Sequence, residues 1–98
     1  MKSELFAKIL NVVAETTELS TEVILSKCKS DECVAARALF VHFCCAKGIP
    51  TCIIRDYLGR KRNDCIANAH SAYYAFHKSS LYFRDLADAI ERKLSSVA

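Results

Sequence analysis

Two glycines, one proline and no tryptophan among 98 residues leave little material for turns. That scarcity excludes a collagen-like or low-complexity chain and argues against a turn-rich all-β sandwich. No run approaches the roughly 20 uninterrupted apolar residues that a membrane helix requires. The opening MKSELFAKIL is amphipathic rather than signal-like. The expectation is one small soluble domain over residues 1–98, cytoplasmic, without membrane contact. With Gly48 and Gly59 as the only glycines, a phosphate-cradling loop cannot be built, so no nucleotide and no other cofactor is expected. No serine or cysteine stands in a nucleophile motif, and the expectation is a protein without catalytic residues.

What the chain does contain is apolar surface, 52% of its residues, and six cysteines. Cys44 and Cys45 sit inside the apolar run ALFVHFCCA, where a free cysteine acts as a small buried hydrophobe. Without a secretory signal, reduced core thiols are expected rather than a disulfide framework. Zinc prefers tight cysteine pairs; Cys28-x4-Cys33 with His42 one turn before Cys45 lacks that pattern, so no metal site is expected. His42, in the same apolar run, reads as a packed histidine rather than a base. Tyr74 and Tyr82 fall off the apolar stripes that take most of the other aromatic residues.

Apolar residues recur at helical spacing in six segments. The first runs from about Ser3 to Ala14, with Leu5, Phe6, Ile9, Leu10, Val12 and Val13 inward, and the polar Glu15–Glu18 stretch ends it. Ser20 caps a short second helix bearing Val23, Ile24 and Leu25. Ser30 or Asp31 caps the third, whose face includes Val34, Leu39, Phe43 and Cys44, and Lys47-Gly48 closes it as a cation followed by a C′ glycine. The fourth starts near Pro50, turns Ile53, Ile54 and Tyr57 inward and stops at Gly59. Asn63 or Asp64 caps the fifth, with Ile66, Ala69, Tyr73 and Phe76 on one face. The last begins at Ser79-Ser80 and buries Phe83, Leu86, Ala87, Ile90 and Leu94.

The net charge of +3 is unevenly placed. Residues 27–62 hold eight basic residues against three acidic, whereas residues 1–26 hold two against four and residues 63–98 four against four. The whole excess therefore lies mid-chain and ends in Arg60-Lys61-Arg62. The fourth and fifth helices, short and divided by a glycine turn, form a helix-turn-helix candidate. In such a unit the second helix offers its N-terminal side chains to base edges, and basic turn residues hold phosphates. Arg60 and Lys61 are the candidate phosphate contacts in that turn; Arg62, Asn63, Asp64 and Asn68 are the candidate base readers. Asparagine can pair bidentately with adenine, and aspartate can accept from cytosine.

The order of segments, VVAETTELSTEVILSK, CKSDECVAARALFVHFCCAKGIP, PTCIIRDYLGRKRNDCIANAHSAY and a final helix ending IERKL, resembles the C-terminal DNA-binding domain of the bacterial replication initiator DnaA. That domain is a six-helix relative of the Trp repressor, and the resemblance spans about Phe6 to Ser96. It implies an all-α helix-turn-helix fold that binds double-stranded DNA in replication or transcription control. It also implies phosphate contacts at Lys27, Lys29, Arg37 and Lys61 and at the start of the fourth helix, Pro50 and Thr51. Arg62-Asn63-Asp64 stands where the family has Asp-His-Thr, so a sequence preference different from the initiator's box is expected. The initiator's ATPase part is missing; the chain is a stand-alone version of the domain or an excised piece, and the opening Met points to the former. Cys28, Asp31, Ala35 and Ala36 replace residues that are basic or proline in the family. They motivate an alternative, a protein-interaction module that keeps the fold and has lost DNA contact, with a protein as partner.

Overall fold

The computed structural model describes residues 2–25, 30–59 and 64–96. Every regular element among them is helical: α1 (Lys2–Thr17), α2 (Thr21–Leu25), α3 (Asp31–Ala46), α4 (Thr51–Tyr57), α5 (Asp64–Ser79) and α6 (Leu81–Ser96). The all-α, six-helix expectation holds. Among the described residues no helix is long and apolar enough to cross a membrane.

The architecture follows from α3. Its Ala36, Ala38, Leu39, Phe40, Val41, Phe43 and Cys44 are all buried, so apolar side chains surround the helix instead of forming one stripe. A helix whose middle is apolar on most of its circumference must be largely enclosed, and α3 accordingly packs against each of the other five. This corrects the narrower expected face: Val34 is only half-buried, while Cys33 and Ala36, one on each side of it, are buried. The outer helices are amphipathic. Phe6, Ile9, Leu10 and Val13 are the buried residues of α1, and Phe83, Ala87, Ile90 and Leu94 are those of α6.

Two aromatic groups lock the layers. Phe6 stacks on Tyr57 with ring centres 4.4 Å apart, and Phe40 lies against both, joining α1, α3 and α4. Tyr73 stacks on His42 at 3.8 Å and meets Phe83 edge-on, joining α3, α5 and α6.

Helix ends obey capping chemistry. The Ser30 hydroxyl accepts from the Cys33 N–H, the Ser20 hydroxyl from Val23 and the Ser80 hydroxyl from Phe83. At the end of α3 the Ile49 N–H donates to the Cys44 carbonyl and the Gly48 N–H to Cys45, with Gly48 at φ 82°. This is the Schellman arrangement, in which a left-handed C′ residue returns the chain to satisfy the last carbonyls. Helix α1 departs from its expected end at Ala14. It continues to Thr17, whose hydroxyl donates to the Val13 carbonyl, and closes with the Leu19 N–H on the Ala14 carbonyl. The C′ residue there is Glu18, at φ 61°, and it is the one non-glycine residue with positive φ among those described. The polar stretch was therefore the last turn of the helix, not the start of a loop.

Candidate nucleic-acid interface

Helices α4 and α5 pack on each other and on α3. At the start of α4, Pro50 holds φ −61° and ψ 145°, and its carbonyl accepts from Ile53 and Ile54. Ile54 is buried and Ile53 half-buried, which turns Pro50, Thr51 and Cys52 outward. The helix stops where the Gly59 N–H reaches the Asp56 carbonyl, with Gly59 at φ 72° and open space around its α-carbon. Glycine is required there by backbone conformation alone. Asp64 then opens α5.

In the first half of α5, Ile66 is buried while Ala67, Asn68 and Ser71 are exposed. The helix thus sets its apolar side on the body and leaves the opposite side open. Asn68, an expected base reader, lies on that open side. Pro50 and Thr51 are exposed as expected. Arg37 is half-buried, and its Nε donates to the Ile24 carbonyl at 3.0 Å, fastening α3 to the end of α2. Lys27, Lys29, Arg60, Lys61, Arg62 and Asn63 lie outside the described residues, as does the side chain of Asp64. Two further cations are absent from the expected set: Lys47, exposed at the end of α3, and Arg55, in the last turn of α4 and paired with Asp56 at 3.2 Å. Their place among the eight basic residues of the mid-chain segment was the available signal.

Along the α3–α5 seam the polar side chains are packed rather than reactive. His42, half-buried, is held below the ordinary imidazole range by burial first and then by the neighbouring positive charges of His70 and His77, against an opposing pull from Glu91. The Cys45 thiol and His70 Nε2 sit 3.5 Å apart. Burial pushes the Cys45 thiol up, and it raises Cys44 to about 12, with Cys45 adding to the effect. Both thiols therefore stay protonated at neutral pH, the opposite of an activated nucleophile. Cys33 and Cys44 are buried free thiols, as expected, whereas Cys52 corrects the core-filler expectation by standing exposed on α4. Among the described residues no group of three metal-ligating side chains converges.

No protein-family model, curated protein or solved structure matches the chain.

Proposed function

We propose that the chain is a double-stranded DNA-binding module in which α4 and α5 act as a helix-turn-helix, α5 lying in the major groove. The observation that carries this reading is the open side of the first half of α5, with Ala67, Asn68 and Ser71 outward, beside a segment that holds all of the chain's basic excess. An α-helix fits the major groove only when one face is free of its own domain. The resemblance to the DnaA C-terminal domain supports the same assignment, with a role in replication or transcription control in the bacterial cytoplasm.

The division of labour follows from chemistry. Lys27, Lys29, Arg37, Arg60 and Lys61, with the exposed α4 start at Pro50 and Thr51, supply backbone contacts that set register. Arg62, Asn63, Asp64 and Asn68 read bases, through arginine to guanine, asparagine to adenine and aspartate to cytosine. The protein performs no catalysis and takes no cofactor. Selection from a random duplex pool tests this reading. Enrichment of a single motif is expected, and Asn68→Ala should relax the preference at one position by about 1–3 kcal/mol. A pool that remains random, with no retention at low salt, overturns it.

A second reading, a protein-interaction module without DNA contact, is favoured by three exposed large apolar residues, Tyr74, Leu81 and Tyr82. It predicts no duplex retention together with a saturable protein partner.

A further inference from the structure

The C-terminal turn of α1, the first turn of α3 and the α5–α6 junction enclose an open cleft of about 370 Å³. This lies in the lower part of the range of pockets that hold small ligands, roughly 300–1,000 Å³. Its apolar wall comes from Phe76, Tyr82 and Leu86, and its rim carries Glu18, Asp31 and Glu32. Among the described residues no lysine, arginine or histidine lines it. All three carboxylates are exposed, and none has an ion-pair partner among the described residues. Tyr82 is 71% exposed, so its ring borders the cleft without being used by the core.

We propose that this cleft docks a peptide segment of a partner protein presenting an arginine beside an apolar side chain. The sign of the rim decides against the other macromolecules: three carboxylates without an ion-pair partner among the described residues disfavour a phosphate backbone and an anionic membrane alike. The pairing of carboxylates with an aromatic ring then selects among cations. A guanidinium is planar and weakly hydrated, stacks on an aromatic face and forks onto carboxylates, whereas an ammonium offers only a strongly hydrated point charge. The apolar wall left over by that cation, Phe76 and Leu86, takes the neighbouring side chain.

The cleft is separate from the open side of α5 that carries Asn68. Phe76 stands eight residues beyond Asn68 on α5, about 12 Å along the helix axis. A peptide seated there leaves Asn68 open, and the docking proposal does not depend on the duplex reading.

The test is a titration of the ¹⁵N-labelled full chain with the blocked peptide acetyl-Gly-Leu-Arg-Leu-Arg-Gly-amide, followed by amide shifts. Saturable changes confined to Glu18, Asp31, Glu32, Ala35 and Tyr82 are expected. Combining Glu18→Gln, Asp31→Asn and Glu32→Gln should weaken binding about tenfold, the product of three modest exposed ion pairs. Because Asp31 and Glu32 also complement the α3 dipole, Tyr82→Ala, at an exposed site, serves as a second variant and should weaken binding too. Equal binding of a peptide with glutamate in place of arginine overturns the proposal, as do shifts mapping elsewhere or variants that bind as the parent does. Shifts at Phe76, Tyr82 and Leu86 produced by a short DNA duplex would overturn it as well. So would self-association of the chain through these residues in place of peptide binding, which would assign the cleft to a second copy.

Discussion

Glu18→Gly should stabilise the protein although it removes a side chain. Glu18 occupies the C′ position of α1 at φ 61°, held there by the Leu19 N–H on the Ala14 carbonyl at 3.1 Å. The left-handed region costs an L-residue about 1–2 kcal/mol. Glycine removes that cost but gives back about 0.5–1 kcal/mol through its greater freedom in the unfolded chain. The net gain is about 0.5–1 kcal/mol, which in a domain of this size raises Tm by about 2–8 °C. Glu18→Ala is the control. It deletes a negative charge from the negative end of α1, worth a few tenths of a kcal/mol at most at an exposed site, and keeps the conformational cost. Thermal unfolding followed by circular dichroism at 222 nm reads all three proteins. A glycine variant less stable than the parent, or an alanine variant gaining as much as glycine, would refute the reasoning. The same glycine variant should bind the arginine peptide more weakly, since the carboxylate at the rim is gone.

Stability should fall on mild acidification through His42. Its folded pKa is depressed, so the unfolded chain binds the proton first; the stabilisation is fully present above the ordinary value of 6.5 and is lost as pH drops from there toward the folded value. Urea midpoints at pH 7.5 and pH 5.5 measure this, and His42→Phe should shrink the difference. Phe40, with no exposed surface and contacts to Phe6 and Tyr57, should cost about 3–5 kcal/mol as Phe40→Ala, enough to leave a domain of ordinary stability near unfolding; urea denaturation reads it. Gly59→Ala should cost about 1 kcal/mol, a purely conformational loss because nothing lies within 4 Å of the added methyl; a neutral result in thermal unfolding would show that the turn relaxes.

Local signals carried most of the fold. Ser20, Ser30 and Ser80 cap where a hydroxyl before an apolar run says they should, and Gly48 and Gly59 close α3 and α4 in the conformation only glycine adopts freely. The end of α1 was not legible because Glu18 takes a glycine's place, and a glutamate carries no stop signal. Nor was the breadth of the buried surface on α3, since small residues such as Ala36 and Ala38 look neutral until neighbours close on them. For the site, the basic excess and the outward position of Asn68 could be read from charge and period. The seam joining His42 to Tyr73 and Cys45 to His70 could not, because it arises from the antiparallel course of α3 and α5, and the paired residues stand 25 to 31 positions apart. The acidic cleft was hidden for the same reason: Glu18, Asp31 and Tyr82 come from three distant segments.

The central claim, that the mid-chain basic residues hold the DNA backbone, is tested most directly by the salt dependence of duplex affinity. Fluorescence anisotropy on a labelled duplex, with the parent and with Arg60→Glu, Lys61→Glu and Arg62→Glu combined, would supply it. About five cationic phosphate contacts predict a slope of about −4 to −5 in log affinity against log salt. The triple variant should bind far more weakly and with a slope shallower by about two. A slope near zero, or a triple variant that binds as the parent does, would contradict the account.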